Sequence, residues 1–245
     1  MVMGVEVAST WQKVIMVNLS LAEVTLSYAG VSPQPNGFKV RSGLDGIYSS
    51  NGGTYIYIAI RRGPLAEPTS ATDVFAIDDR SGGPPNAVSG FPVDMGFIRR
   101  KDNTSSWYIY DRLRQGRELV INTTAAEGGA GNAQFDYMDG FSAGAFASDV
   151  YSWMWKRAPG YFDVVAYSGD GTSSNTINHN LGVVPEMMWF KRRDSSTAGN
   201  WLVYHNSYLT TQALFLNSNG ALISSQTGNL QSTPTNSSFT VGSYN

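Results

Sequence analysis

The 245-residue chain contains no cysteine. That removes disulfide staples, thiolate metal sites and cysteine nucleophiles together. Charge is also scarce: Lys, Arg, Asp and Glu make up 15 % of residues, and 17 basic against 19 acidic side chains leave a formal net charge of −2. A nucleic-acid-binding surface needs a net basic footprint, which this composition does not supply. The two histidines, His179 and His205, stand apart from any carboxylate cluster, so no metal centre is expected. No apolar run approaches the roughly 20 residues of a membrane span. The opening MVMGVEVASTWQKV lacks a basic stretch followed by an apolar core, so neither membrane insertion nor a signal peptide is expected.

Catalytic constellations are missing as well. Ser173 and Ser174 in GDGTSSN do not fit the Gly-x-Ser-x-Gly turn of a nucleophile elbow. The acid clusters are Asp78 with Asp79 and Asp136 with Asp139; glycoside hydrolysis would need two carboxylates about 5 to 9.5 Å apart across a cleft, which these spacings do not establish. No catalytic residue and no cofactor is expected.

What the chain has is internal repetition. Residues 94–122 read DMGFIRRKDNTSSWYIYDRLRQGRELVIN and residues 186–217 read EMMWFKRRDSSTAGNWLVYHNSYLTTQALFLN. Each carries an acid, a methionine, an apolar pair, a basic run, an aspartate, a polar loop, a Trp-x-x-Tyr stretch and an apolar run closed by asparagine. Self-similarity of this kind decides architecture before any local preference does. The small strand NGFKVRS at 36–42 recurs as DGFSAGA at 139–145 and SSFTVGS at 237–243. TYIYIAIRRGP at 54–64 aligns without a gap with DVYSWMWKRAP at 149–159, placing Ile56, Ile58 and Ile60 on Tyr151, Trp153 and Trp155. Period-two bulk marks one buried strand face, so these aromatics are expected in the core.

The copies divide the chain. Residues 1–64 form the second half of a repeat, 65–74 a linker, 75–160 one complete copy, and 161–245 a copy lacking its closing strand. The last copy is expected to open with a strand at 162–167, followed by a turn at Asp170-Gly171, where glycine supplies positive φ. Helical periodicity is weak throughout, with a short turn within 110–119 the one candidate. Strands every 8 to 12 residues or so imply an all-β fold built of tandem antiparallel β-sandwich modules of jelly-roll or lectin-like type, one complete and two partial.

The pattern FDVVAYSGDGT, INHNLGVVPEMMWFKRRD, NWLVYH, ALFLNSNGA and SSFTVG, with a strand like TYIYIAI, resembles the repeated module of tailed-phage tail-fibre and receptor-binding proteins. That resemblance implies a virion protein: a fibre or appendage segment attaching to host-surface glycan, located in the phage particle. Its implied partners are other virion proteins, copies of itself (a trimer favoured) and host polysaccharide, with no nucleic acid. It carries no catalytic residue to transfer. A polysaccharide-degrading tailspike and a purely structural fibre or decoration protein are the rival readings.

Candidate contacts follow from two features. The Trp-x-x-Tyr pairs, Trp107 with Tyr110 and Trp201 with Tyr204, have a spacing that sends the rings to opposite faces of a strand, so one of each pair could stack on sugar. Basic residues also close the strands, as Arg61-Arg62, Arg99-Arg100-Lys101, Lys156-Arg157 and Lys191-Arg192-Arg193. These would form recurring anion-binding patches, or else protect strand edges. Arg99, Arg100, Lys191, Arg192 and His205 complete the candidates. Recognition is expected where the copies differ: loops 102–106 and 194–200, and Asp111 against His205.

Overall fold

The computed structural model describes residues 65–79, 85–102, 104–114, 116–128, 133–143, 150–197, 199–224 and 230–242, with five strand backbones before residue 41. The described part is all-β, with antiparallel sheets and no α-helix. Its strands are β1 Val2–Glu6, β2 Gln12–Met16, β3 Val24–Leu26, β4 Val31–Gln34, β5 Gly37–Val40, β6 Phe75–Asp79, β7 Ala87–Val88, β8 Met95–Arg100, β9 Tyr108–Asp111, β10 Leu119–Val120, β11 Ala133–Gln134, β12 Gly140–Ala143, β13 Val150–Trp155, β14 Asn175–Asn178, β15 Met187–Phe190, β16 Leu202–His205, β17 Leu214–Phe215 and β18 Ser238–Val241. The expected strand at 54–64, with its Arg61-Arg62 end, lies outside the described residues.

Five strands form the central sheet in the order β10-β9-β8-β13-β6. One face packs on the small sheet β11-β12-β7 around Ile98, Tyr110, Val150, Met154, Ala87, Phe135 and Phe141, as in a β-sandwich. Phe141 is fully buried and stacks on Phe135 at 5.3 Å. The ring occupies the space above Gly96, where a Cβ would lie 2.5 Å from Phe141 Cζ. Glycine in mid-strand here marks a close approach.

Beyond residue 160 the same unit recurs, register for register. β8 pairs with β9 so that Met95 meets Asp111 and Phe97 meets Ile109; β15 pairs with β16 so that Met187 meets His205 and Trp189 meets Val203. Trp107 N donates to Asn122 Oδ1 at 3.1 Å and Trp201 N to Asn217 Oδ1 at 2.8 Å. Ser89 N donates to Asp139 O and His179 N to Ser237 O. The recurring motif residues thus tie the same backbone points in both copies.

Two expectations change. Residues 163–170 form no strand, although β6 occupies the matching place in the central copy. Among the described strands β6 pairs only with β13, and none of the last copy corresponds to β13, so this stretch has no described ladder to join. The buried face of β13 is also not the aromatic one. Val150, Ser152 and Met154 are buried, while Tyr151 is exposed and Trp153 and Trp155 are half-buried. The helical candidate within 110–119 is a single 3-10 turn, Arg112–Arg114.

Candidate functional site

The second face of the central sheet carries Met95, Phe97, Ile109 and Leu119 in its buried part, joined by Trp201 from the last copy and flanked by Trp107, Trp153, Trp155 and Phe162. Trp189 stacks on Phe97 at 5.7 Å. Coverage is incomplete towards β13 and β6. Register places Tyr151 opposite both Arg99 and Asp79, and Trp153 opposite both Phe97 and Ile77, and directly opposed residues share a face. Ile77 is 55 % and Tyr151 42 % exposed.

A continuous aromatic strip results. Trp107 lies 5.1 Å from Trp153, and Trp153 lies 6.0 Å from Tyr151, ring centre to ring centre. Cations flank both ends: the Arg99 guanidinium sits 5.2 Å from the Trp107 ring and Lys101 Nζ 4.7 Å from the Tyr151 ring. Arg99 is further held by the Ser105 carbonyl and Lys101 by Asp79. Ring faces bordered by oriented polar groups can stack on the C–H face of a sugar while bonding its hydroxyls. Each cation–ring contact contributes about 0.5–1 kcal/mol at exposed sites, enough to order the strip.

The sequence candidates fare unequally. The Trp-x-x-Tyr rings do point to opposite faces, but three of the four are buried: Tyr110 in the sandwich core, Trp201 between the two copies and Tyr204 against Phe239 and Leu230. Both faces are covered, so none of these three has a face to offer, and Trp107 alone of the four lies on the strip. Lys191 is an internal clamp, donating to the Thr124 carbonyl at 3.0 Å and to the Gly199 carbonyl, and its burial pulls the ammonium below its ordinary value. Arg100 pairs with Asp102 and Arg192 with Asp194, equivalent bridges within each loop. Among the described strand-end cations, Arg99, Arg100, Lys101, Arg157, Lys191, Arg192 and Arg193 each meet a local carboxylate or carbonyl. His205 Nδ1 accepts from Ser207 N at 3.1 Å, capping a turn.

Tyr151, Trp153 and Ile77 are the strip residues that sequence reasoning left out of the candidate contacts. Period two grouped Tyr151, Trp153 and Trp155 on one face correctly but named that face the buried one; the face that meets the Phe141 core carries Val150, Ser152 and Met154 instead. Asp78 and Asp79, being successive on β6, point to opposite faces: Asp78 accepts Val88 N at 2.8 Å, and Asp79 holds Lys101. Burial pushes the Asp136 carboxyl up. Among the described residues no three His, Cys, Asp or Glu converge as metal ligands, and no helix is long and apolar enough to cross a membrane.

Residues 90–245 match a family described as a domain of unknown function, DUF7483. The chain belongs to that family. The DUF7483 region holds Arg99, Lys101, Trp107, Tyr151, Trp153 and Trp189, whereas Ile77 and Asp79 on β6 precede it. No curated protein and no solved structure matches the chain.

Proposed function

We propose that this chain is a structural segment of a tailed-bacteriophage particle, a tail fibre or similar appendage, that attaches to host-surface glycan without catalysis. In this reading its repeats are tandem β-sandwich modules of jelly-roll or lectin-like type, and the chain works as a homo-oligomer, a trimer favoured, alongside other virion proteins. The virion setting is supported by the likeness of the repeated motifs to tail-fibre modules. The glycan contact is supported by one observation above all, the Trp107–Trp153–Tyr151 strip with Arg99 and Lys101 beside it. One ring stacked on sugar contributes about 0.5–1.5 kcal/mol, borrowing the aromatic-pair magnitude, and several copies on one fibre multiply the hold by avidity.

The test is retention of the full chain on host cells and on their isolated surface polysaccharide. Replacing Tyr151→Ser and Trp153→Ala together should weaken single-site binding about 5- to 150-fold, the equivalent of about 1–3 kcal/mol, with the urea midpoint checked to show that the variant is folded. Unchanged retention by the folded double variant overturns the assignment of the strip. Release of reducing ends would turn the reading to a depolymerase, and absence of the chain from purified particles would remove the virion setting.

A further inference from the structure

The Tyr151 end of the strip joins an apolar floor to a paired acid and base. On β6, Ile77 and Asp79 point to one face, and register sets Ile77 opposite Trp153 and Asp79 opposite Tyr151. That face therefore carries two neighbouring pairs, one apolar and one bearing a carboxylate, about 7 Å apart along the strands. Ile77 is 55 % exposed and Trp153 half-buried, so the apolar pair is an open floor. At its edge the Asp79 and Lys101 side chains, 56 % and 27 % exposed, form an ion pair.

The pairing leaves hydrogen-bonding capacity on both partners. Among the described residues Lys101 Nζ donates to Asp79 Oδ1 alone, and it lies 4.7 Å from the centre of the Tyr151 ring. An ammonium has three N–H donors and a carboxylate two acceptor oxygens, so Asp79 Oδ2 and two ammonium protons remain for a ligand. An acceptor beside a donor is the complement of two adjacent hydroxyls, one giving its proton to Oδ2 and the other accepting one from Nζ. Charge argues against an acidic sugar at this end. Asp79 cancels Lys101, and an anion placed on the floor would meet the Asp79 carboxylate at close range. Arg99 is on the other neighbouring strand of Tyr151, turned to Trp107 and the Ser105 carbonyl.

We propose, on the strength of the glycan reading, that the strip selects a neutral sugar carrying a vicinal diol, its C–H face on Ile77 and Trp153 and its two hydroxyls bridging Asp79 and Lys101. The two ladders that hold β6, β13 and β8 in register set these groups in place, so little ordering is required when sugar binds. Hydroxyls bonded to charged groups discriminate strongly, because a ligand without them leaves a carboxylate and an ammonium stripped of water with no partner. Ile77 and Asp79 stand outside the DUF7483 match, which starts at residue 90. The choice of sugar is thus made by β6, at a place where the last copy forms no strand.

The test uses the full parent chain and isolated host-surface polysaccharide, either untreated, or oxidised with periodate and quenched with borohydride to open vicinal diols, or carboxyl-reduced with carbodiimide and borohydride to remove acid groups. Retention should fall about tenfold or more on the periodate-treated form. It should stay within about twofold on the carboxyl-reduced form and when ionic strength is raised about tenfold. Undiminished binding to the periodate-treated form overturns the proposal, as does loss on carboxyl reduction or at high salt, which would mark an anionic ligand. Asp79→Ala removes an exposed ion pair that contributes little to the fold; with its urea midpoint checked, it should bind the untreated form about tenfold or more weakly. Binding unchanged in Asp79→Ala but lost in the Tyr151→Ser, Trp153→Ala variant leaves the glycan reading standing and overturns the diol contact alone. Failure of the parent chain to retain the untreated form removes the glycan reading and this contact with it.

Discussion

Replacing Trp201 tests the claim that the two copies share an apolar interface. Its ring is 4 % exposed, lies in the core with Met95, Phe97, Ile109 and Leu119, and donates Nε1–H to the Val120 carbonyl at 2.9 Å. Lys191 Nζ sits 6.0 Å from the ring. Truncation to alanine removes the buried ring, at about 3–5 kcal/mol for a core Trp→Ala, and leaves the Val120 carbonyl without that donor. Trp201→Phe keeps most of the apolar contact and loses the donor, at about 1–3 kcal/mol. Against a typical total of about 5–15 kcal/mol, the alanine variant should be marginal and the phenylalanine variant folded. Urea unfolding followed by far-UV circular dichroism should show the midpoint falling in the order parent, Phe, Ala, with unchanged slope for the Phe variant. If Trp201→Ala unfolds at the parent midpoint, the ring is not buried between the copies. This also fixes how binding data should be read, because any loss of host contact in Trp201→Ala would follow from lost packing.

Gly96→Ala should destabilise by about 1–3 kcal/mol as an overpacked core, read by the same urea titration; Gly96→Ala combined with Phe141→Leu should recover part of that loss by vacating the Cζ position. Acid should weaken the fold in a defined direction. Hydrogen bonds hold the Asp73, Asp102, Asp170 and Asp194 carboxylates below the ordinary 3.8, through Ser70 N–H, Arg100, Thr172 N–H and Arg192 respectively. Their contribution is therefore complete above 3.8 and lost as pH falls through the lower folded values. Asp136 runs the other way, since desolvation raises it: its penalty on the folded state sets in as pH rises above the ordinary 3.8 and is complete above the raised folded value. Melting temperature should drop as pH falls below about 4, and Asp136→Asn should raise stability at neutral pH; a flat acid limb would refute the assignment of these bonds.

Much of the fold was legible because the repeat encodes backbone demands. Asn122 and Asn217 recur since each accepts the N–H of its copy's tryptophan, and Phe141 and Phe239 recur since each fills its own core. Strand content, the 3-10 turn and the turn at Gly171, with φ of +74°, follow from local chemistry. The site was less legible, because a side chain's exposure depends on what the opposite layer supplies. Tyr110 and Tyr204 look like surface rings in a polar sequence, yet each meets a phenylalanine-bearing sheet. Trp153 looks like core, yet the layer above it stops short.

The same dependence explains what separates the copies. Asp111 and His205 occupy one register position, and both accept a turn N–H: Asp111 Oδ1 from Arg114 at 2.9 Å, His205 Nδ1 from Ser207 at 3.1 Å. The turn requires only an acceptor, so either residue serves. Aspartate is needed in the central copy because Arg114 is buried there and its Nε donates to Asp111 Oδ2, with carbonyls of Ile109 and Arg117 taking its other protons. A charged donor held away from water demands a charged acceptor. Glu127 stands beside Arg114 at 3.6 Å and reaches across to Arg193 at 2.8 Å, so the anion that completes this cluster also ties the last copy to the central one. In the last copy Ala213 takes the place of Glu118, the described turn carries no arginine, and the Nδ1 acceptor of His205 suffices. The Asp111-to-His205 difference between the copies is accounted for by a difference in what lies beneath it.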